Sequence, residues 1–367
     1  MWERILVIIR KEFRQTLREK RMRVFLLVPP VTQLMLFGFA VNLDIINSPI
    51  AWMDMDRTTE SRELLSQFQG SNQFIVKYMP ESDAEVRKLL DHSDVQAVVK
   101  VLPGFAREIH KGHTASVQVL VDGANSNTAA ILMGYCVQVI QIYGQRLRPT
   151  PAPLGAIAVP RVWFNPDLLS RNFFVPGVIM NIITMMTLIL TAMAIVRERE
   201  IGTMEQLMVT PIRPIELMLG KTLPFVCIGA VQMTLVTTVA LLVFHIPFRG
   251  HLSTLVFATL IYLMTTLGSG LFLSTISQTQ QQALMSSFFF FTPAFMLSGF
   301  SFPIRNMPEP VQYLTLLNPM RYFIEILRGI FLKGLGVEAL APQLLALFAI
   351  GCVVLFGSAM RFHKRLD

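Results

Sequence analysis

The run Gly220-Lys221-Thr222 is the one place in the sequence whose residue types suggest nucleotide binding. In a phosphate-binding loop, backbone amides of a glycine-rich turn cradle the phosphates, and the pattern needs another glycine five residues before the second one. Ile215 occupies that place, and the run precedes an apolar segment instead of following a buried strand. We therefore expect no nucleotide site, and interpret Lys221 as a lysine that caps a membrane span at its interface with water.

Other catalytic patterns are missing from the sequence. The six histidines are scattered, and His110 and His113, three residues apart, lie in a charged turn that offers no convincing metal-ligand set. The sequence also has no nucleophile elbow of the G-x-S-x-G type. It therefore predicts a non-catalytic chain that binds no cofactor and no metal of its own.

The composition is that of an integral membrane protein. Apolar residues make up 53% of the chain, charged residues only 15%, and the mean hydropathy is +0.52, which is more apolar and less charged than soluble domains are. A net charge of +8 would suit nucleic-acid binding, but the basic residues cluster beside apolar runs and form no single stripe. They fit membrane orientation better, so we expect no nucleic-acid partner.

Residues 1–23 form a basic N-terminal segment with eight Lys or Arg and three Glu. Apolar side chains recur there at helical spacing, at Ile5, Ile9, Phe13 and Leu17. This pattern predicts an amphipathic helix at the cytoplasmic membrane interface, although a plain basic tail that orients the chain is an alternative. Residues 24–43 are uncharged and, at about 1.5 Å each, long enough to cross a hydrocarbon core of about 30 Å, which predicts the first transmembrane helix.

Residues 44–172 have the character of a soluble domain, because short apolar strand patterns alternate with helical ones. The predicted strands are Ile50–Met53, Phe74–Tyr78, Val95–Leu102 and Ala115–Val121. The predicted helices are Glu60–Gln69, Asp83–Asp91, Phe105–Lys111 and Ser126–Arg146. This alternation predicts an α/β domain, inserted between the first and second spans on the extracytoplasmic side.

Residues 173–360 contain five further apolar runs. They lie at about 173–196, 222–244, 252–276, 283–300 and 340–360. Six spans return the basic tail, residues 361–367, to the side of the N-terminus, which agrees with a cytoplasmic location of both. Residues 302–339 combine four prolines with apolar side chains, which predicts short re-entrant or interfacial helices. The predicted fold is an α-helical polytopic membrane protein with six transmembrane helices and one inserted α/β domain.

The second span carries a polar stripe inside its apolar run. Asn181, Thr184, Thr187 and Thr191 fall within one arc of a helical wheel. Lipid offers these side chains no hydrogen-bond partners, so the stripe should face the helix bundle or a substrate pathway. Ordinary helix packing explains the same residues equally well, and both interpretations stay open.

A charged segment at residues 197–221 separates the second span from the third. An unpaired charge in hydrocarbon costs at least about 2.5 to 3.5 kcal/mol, so this segment must emerge into water. Its four acidic residues balance its four basic ones, whereas a loop that only orients the chain would be more basic. The balance suggests that a partner grips the segment, although charges that pair with one another and anchor the span ends are the alternative.

The arrangement around this loop resembles a known family. The order of a basic helix, a span, an α/β insertion and five more spans is similar to that of the permease subunit of ABC-type-2 exporters, in the bacterial branch linked to multidrug efflux. The resemblance covers nearly the whole chain. Its most specific motifs are Arg197–Leu207 with Pro211 and Gly220-Lys221, Thr279-Gln280-Gln281-Gln282-Ala283, Leu297-Ser298-Gly299 with Pro303, Met307-Pro308 and Asn318-Pro319, and, in the inserted domain, Val121-Asp122-Gly123, Asn125-Ser126-Asn127 and Asn165-Pro166.

The resemblance implies a division of labour. This chain would supply half of a substrate pathway across a bacterial inner membrane, with both termini cytoplasmic, while separate cytoplasmic ABC ATPase subunits bind and hydrolyse ATP-Mg. A second permease, identical or homologous, would supply the other half, with membrane lipids around both. The loop at 197–221 would be the element that couples the chain to the ATPase. The residues assigned to coupling are Glu198, Arg199, Glu200, Gly202, Thr203, Glu205, Gln206 and Leu207.

The resemblance implies efflux of drugs or other amphipathic compounds, and two alternatives remain. A permease of the same family could export a lipid or glycan precursor, and the sequence does not separate these substrates. A membrane-anchored sensor would bind its ligand on the inserted domain, but a sensor usually has few spans and a sizeable cytoplasmic output domain. A periplasmic adaptor is a further partner only by family analogy.

Overall fold

The computed structural model divides the chain into two compact units. The helical unit comprises Met1–Asn42 and Val162–Asp367, and the sheet unit comprises Leu43–Arg161. The residues that the structure describes are 2–40, 47–124, 126–147, 163–165, 169–202 and 214–363. The α-helices are α1 Trp2–Arg18, α2 Lys20–Ala40, α3 Thr59–Gln69, α4 Asp83–Asp91, α5 Phe105–His110, α6 Ser126–Arg146, α7 Ser170–Ile201, α8 Pro214–Phe244, α9 Leu252–Ile276, α10 Gln280–Met296, α11 Glu309–Thr315, α12 Pro319–Arg328 and α13 Ala341–His363. The strands are β1 Ser48–Asp54, β2 Phe74–Tyr78, β3 Ala97–Val101 and β4 Val117–Val121.

Helix α7 forms the centre of the helical unit. It packs against α2, α8, α9, α10 and α12, and nearly all of its side chains between Val175 and Val196 are buried. The outer face of α13, by contrast, exposes large apolar side chains, including those of Leu345, Val353 and Phe356. Large apolar side chains on the outer surface are expected of a helix bundle surrounded by lipid.

Five helices among the described residues are long and apolar enough to cross a membrane. Their spans are Met22–Phe39, Ser170–Ile201, Met218–Phe244, Leu252–Ile276 and Ala341–Arg361. The remaining predicted span, at 283–300, corresponds to α10, which has 17 residues and contains Pro293. At 1.5 Å per residue α10 is about 26 Å long, slightly shorter than a hydrocarbon core of about 30 Å. The structure thus agrees with a polytopic membrane protein, and the sixth span stays a prediction.

Short helices fill the segment between α10 and α13, as the prolines predict. They are a 3-10 turn at Ile304–Asn306, α11, α12 and a π-helical turn at Gly329–Lys333. The side chain of Asn318 accepts a hydrogen bond from the backbone N–H of Met320 at 3.0 Å and donates one to the carbonyl of Ala294 at 2.6 Å. Asn318 therefore caps α12 and also ties it to α10, while Pro319 has the fixed φ that suits a first helical position.

A four-stranded sheet organises the sheet unit, with the strand order β2-β1-β3-β4. Strand β1 pairs in parallel with β2 and β3, and β4 runs antiparallel to β3. Helices α3, α5 and α6 pack on one face, around Trp52 and Phe68, and α4 packs on the other through Val86. Such helices on both faces of a mostly parallel sheet are typical of α/β architecture.

The strands and helices predicted for this unit are confirmed, to within two residues at each end. Local signals explain the agreement. Ser82 accepts a hydrogen bond from the backbone N–H of Glu85 at 3.3 Å and so caps α4, as predicted. Asp56 accepts hydrogen bonds from the backbone N–H groups of Gly104 and Ala106, at 2.6 and 2.9 Å, and joins the end of β1 to the start of α5.

Candidate functional site

The charged residues at the C-terminal end of α7 meet residues from several neighbouring elements. Arg197, Glu198, Arg199 and Glu200 occupy the last turns of α7. Their partners are Lys11, Glu19, Lys221, Ser277 and Gln280, and Glu12 lies near the same two lysines. We call these ten residues the α7-end cluster.

Glu198 is the buried centre of the α7-end cluster. Its Oε1 accepts a hydrogen bond from Lys11 Nζ, and its Oε2 lies 2.7 Å from Lys221 Nζ. Glu198 is only 4% exposed and Lys221 only 2%. Charges buried so deeply persist only when close partners offset the loss of hydration. Glu198 therefore fixes the end of α7 to both α1 and α8.

Glu12 is a second buried carboxylate, on α1, and is 5% exposed. Its Oε1 lies 3.7 Å from Lys11 Nζ and 4.0 Å from Lys221 Nζ, and makes no hydrogen bond within the described part of the chain. Burial raises the pKa of Glu12 above its ordinary value, and the positive charges of Lys221 and Lys11 act in the opposite direction without outweighing it. Glu12 Oε1 thus has two positively charged neighbours but accepts no hydrogen bond from a described residue.

The other members of the cluster tie α7 to two turns. Arg197 Nη2 donates to Glu19 Oε1 at 2.6 Å, at the break between α1 and α2. Arg199 Nη1 donates to the carbonyl of Ser277 at 2.9 Å, and the backbone N–H of Gln280 donates to Glu200 Oε1 at 2.8 Å. These hydrogen bonds connect the α7 end to the turn between α9 and α10.

The structure corrects the interpretation of Lys221 as a lysine that caps a span at the interface. Lys221 is buried and paired with Glu198, because α1 covers this end of α8. The preceding residue, Gly220, makes the close approach of α1 possible, since a Cβ atom there would lie 2.8 Å from the Cβ of Ile8. Helix packing and an ion pair therefore explain the Gly-Lys pair that suggested a phosphate loop.

Gly220→Val is expected to destabilise the helical unit by about 1 to 3 kcal/mol, because the new side chain must push α1 away from α8. The free energy of unfolding in a detergent titration measures this. Gly357→Val on α13 is the matched control, because a Cβ atom at Gly357 meets no atom of the described part of the chain within 4 Å. Equal losses in the two variants would contradict the packing role of Gly220.

The residues assigned to coupling fall into three groups. Glu198 is buried within the cluster, whereas Arg199 is half-buried and Glu200 and Gly202 are exposed. Gly202 ends α7 with φ +78°, a left-handed conformation that suits glycine. The remaining four, Thr203, Glu205, Gln206 and Leu207, lie outside the described residues. Exposure therefore makes Glu200 and Gly202, and not Glu198, the described members that a partner could reach.

The polar stripe of α7 is buried among helices. Thr184 Oγ1 donates to the carbonyl of Met180 at 2.6 Å and also contacts the hydroxyl of Tyr262 on α9. The hydroxyls of Thr187 and Thr191 donate to carbonyls four residues earlier, each at 2.7 Å. Asn181 is 8% exposed, and its Oδ1 makes no hydrogen bond to a described residue. Within one copy of the chain, the three threonine hydroxyls therefore have hydrogen-bond partners and are packed between helices.

Two cavities border the same end of the bundle. The first, of 430 Å³, lies between α1, α2, α7 and α10 and is lined by members of the α7-end cluster, and we call it the cluster cavity. The second, of 530 Å³, is an open groove between α9 and α10, lined by side chains such as Leu273, Met285 and Phe289. None of the four stripe residues lines either cavity.

Lys11 and Lys221, the partners of Glu198, and Glu12, which lies beside both lysines, are not among the residues assigned to coupling from the sequence. A signal for Glu12 was present, because this acid shares one helical face with Ile5, Ile8 and Thr16, which are all buried. An acidic residue on the apolar face of an amphipathic helix needs a partner, and Glu12 has one on its own helix, Lys11, and one on α8, Lys221.

Comparisons with known proteins identify the family. The family model described as ABC-2 family transporter protein matches residues 20–360. The chain belongs to this ABC-2 transporter family. It is 35% identical to the probable multidrug ABC transporter permease YbhR of Escherichia coli (strain K12) over 367 residues, covering all of both chains. It is 32% identical to the probable multidrug ABC transporter permease YbhS of that organism over all of this chain and 98% of the relative, and 31% identical to its inner membrane transport permease YhhJ over 97% and 96%.

Membership of the ABC-2 family fixes the general role of the chain. It is a transmembrane permease of an ABC exporter and a multi-pass protein of the inner membrane. Permeases of this family are generally non-catalytic and associate with an ABC ATPase.

Proposed function

We propose that this ABC-2 permease exports drugs or other amphipathic compounds, and that α7 transmits the movement of a partner ATPase to the substrate pathway. The observation that carries the proposal is the α7-end cluster, in which one helix end is bound to α1, α8 and the α9–α10 turn. A helix end with so many fixed contacts moves its neighbours when it moves. A flexible loop would absorb the same displacement.

The length of α7 supports this role. Its 32 residues extend about 48 Å at 1.5 Å per residue, well beyond a hydrocarbon core of about 30 Å. The stripe Asn181, Thr184, Thr187 and Thr191 and the cluster lie on this same helix. Movement at the cluster would therefore shift the stripe against α9, and we propose these four residues as the part of the pathway that such a shift exposes.

We assign contact with the ATPase to Glu200, Gly202, Thr203, Glu205, Gln206 and Leu207, and transmission to Glu198 and Arg199. This division follows the exposure of Glu200 and Gly202 and the burial of Glu198. The partner ATPase would bind and hydrolyse ATP-Mg, and this chain would bind no cofactor. The pairing of Lys221 with Glu198 supports the assignment of ATP binding to the partner, because the charge of this lysine is already neutralised within the chain.

The proposed assembly has six spans, with α10 as the fifth, and both termini in the cytoplasm. The sheet unit would lie outside, between the first and second spans, and the short helices of residues 302–339 would lie at the outer membrane interface. A second permease, identical or homologous, completes the pathway, and a periplasmic adaptor is a further partner. Two relatives named as probable multidrug permeases support drug efflux over export of a lipid or glycan precursor.

The test is co-purification of a tagged chain from native membranes. We expect an ABC ATPase to co-purify and the isolated chain to hydrolyse no ATP. Glu205→Lys should reduce ATPase recovery about tenfold or more, because reversing a charge in a docked contact costs several kcal/mol. Glu3→Lys is the control, since Glu3 is exposed on α1 outside the coupling segment. Hydrolysis by the isolated chain, or normal ATPase recovery with Glu205→Lys, would contradict the proposal.

A further inference from the structure

Two adjacent prolines interrupt the hydrogen bonding of the first span. Helix α2 contains Pro29 and Pro30 in its interior. In an α-helix each N–H donates to the carbonyl four residues earlier, and proline has no N–H. The carbonyls of Phe25 and Leu26 therefore lack their usual helical donors. Sharp bends of a helix occur mainly at such places.

A side chain from α8 supplies one of the two missing donors. Gln232 Nε2 donates a hydrogen bond to the carbonyl of Leu26 at 3.3 Å. The two residues are only 3% and 7% exposed, and a buried carbonyl without a donor costs free energy. The hydrogen bond thus goes to the carbonyl that Pro30 leaves without a donor, and not to the one that Pro29 leaves.

The burial of the Gln232 amide is not explained by packing alone. Its Oε1 accepts no hydrogen bond from a described residue. Burying a polar amide is unfavourable unless hydrogen bonds offset the loss of water. Within the described part of the chain, the bond to Leu26 is the one that offsets this cost for Gln232. The glutamine is therefore matched to the broken helix opposite it.

Helix α8 contacts α2 on both sides of the prolines. The part of α2 before the prolines begins one residue after α1, and α1 packs on α8 where Ile8 approaches Gly220. The part after the prolines meets α8 near its other end, where the ring centroids of Phe39 and Phe244 lie 4.9 Å apart. Gln232 lies between these two contacts along α8. Its hydrogen bond therefore extends the attachment that α1 begins as far as the prolines.

We propose that Gln232 is a positioning residue of the permease. Its side chain replaces the N–H that Pro30 lacks and fixes the part of α2 before the prolines to α8, so that the first span bends at the prolines. This inference rests on the proposed function, because movement of the α7-end cluster during export reaches α2 through α1. The part of α2 after the prolines can then turn while α1 keeps its contacts with α8. Gln232 acts through the backbone of α2 and not by binding the exported compound.

The first test is a set of substitutions that remove or restore the donor. Gln232→Met should raise the equilibrium constant for unfolding of the full-length chain about tenfold in a denaturing-detergent titration, because a buried carbonyl loses its donor. On a Pro30→Ala background the same substitution should change this constant less than about twofold, since the restored N–H can donate to Leu26 within the helix. Pro29→Ala is the matched control. Its restored N–H faces the carbonyl of Phe25, so Gln232→Met should keep its full effect there.

The second test measures distances between spin labels, which distinguish positioning from stabilisation alone. The chain is placed in lipid nanodiscs after its three cysteines have been replaced. One label pair joins α8 to the part of α2 before the prolines, and another joins it to the part after them. The label sites are exposed residues, Val24 with Leu223 for the first pair and Leu36 with Leu242 for the second. Gln232→Met should broaden the distance distribution of the first pair. Pro30→Ala should narrow that of the second, because the restored N–H stiffens the helix.

An equal effect of Gln232→Met on the parent and Pro30→Ala backgrounds would overturn the inference, because Gln232 would then act through packing. Failure of Gln232→Met to fold on the parent background, with normal folding on the Pro30→Ala background, would support it. Unchanged first-pair distances in the folded Gln232→Met variant would show that the bond does not position α2. An unchanged second pair in Pro30→Ala would show that the span does not bend at the prolines, and either result would overturn the proposal.

Neither test uses an ATPase or a transported compound, so the outcome does not depend on the proposed function. Rescue of Gln232→Met by Pro30→Ala, in a chain that recovers no ATPase, would contradict the proposed function alone. Absence of rescue, in a chain that recovers its ATPase normally, would contradict this inference alone.

Discussion

Replacing Glu198 by alanine is expected to destabilise the helical unit by about 3 to 5 kcal/mol, the usual cost of leaving one partner of a buried ion pair alone. The side chains of Glu198 and Lys221 are only 5% and 3% exposed, so water cannot replace the lost carboxylate. Glu12 compensates only in part, because its Oε1 lies 4.0 Å from Lys221 Nζ. The free energy of unfolding, from titration of the purified chain with denaturing detergent, measures the effect.

A double substitution should separate the loss of the pair from the loss of one partner. Glu198→Met combined with Lys221→Met replaces two buried charges by apolar side chains of similar volume, which is often neutral or stabilising. We expect this variant to recover most of the free energy of unfolding that Glu198→Ala loses. Glu12 then keeps Lys11 as a neighbour, at 3.7 Å, but loses the charge of Lys221, so recovery should fall short of complete.

Exchanging the two charges should not restore stability. Glu198→Lys with Lys221→Glu keeps one ion pair, but it places a lysine beside Lys11 and a glutamate beside Glu12. Like charges at such distances repel each other, particularly when water is excluded. Glu309→Ala, at an exposed site on α11, is the control and should change the stability by less than about 0.5 kcal/mol. Full recovery by the exchanged pair would show that Lys11 and Glu12 play no part in the cluster.

The sheet unit was predicted well because its signals are local. Short apolar runs define β1 to β4, and the cap at Ser82 lies three residues from the amide that it binds. The long apolar helices were equally clear, since about twenty uncharged residues suffice to predict a span. These features need no knowledge of the tertiary structure.

The α7-end cluster was only partly predictable. The charges at residues 197–200 were recognised as unusual, but the partner of Glu198 on α1 is 187 residues away in the sequence. A charge pattern shows that a partner is needed without showing where it lies. The same limit applies to Gly220, whose role depends on the approach of Ile8 from another helix. Long-range packing, and not local propensity, decides which charges are buried and which stay accessible.

Gly202→Pro is expected to stop export while leaving the chain inserted in the membrane. Gly202 ends α7 at φ +78°, and its backbone N–H donates to the carbonyl of Arg199 at 3.2 Å. Proline fixes φ near −65° and has no N–H, so it can adopt neither the conformation nor the hydrogen bond, at a cost of about 3 kcal/mol or more if the native geometry is imposed. The chain beyond residue 202 must then leave α7 in another direction.

Two further substitutions at Gly202 test whether the effect depends on backbone conformation alone. A Cβ atom at Gly202 meets no described residue within 4 Å, so among these residues differences between side chains reflect conformation and not clashes. Gly202→Asn should retain export, because asparagine tolerates left-handed φ, and Gly202→Ala should lose part of it at a cost of about 1 kcal/mol. Export rate and ATPase recovery are measured for all three variants. Normal export by Gly202→Pro, with the ATPase still bound, would mean that the direction of the chain after α7 does not matter for coupling, and that the charged segment only anchors the span.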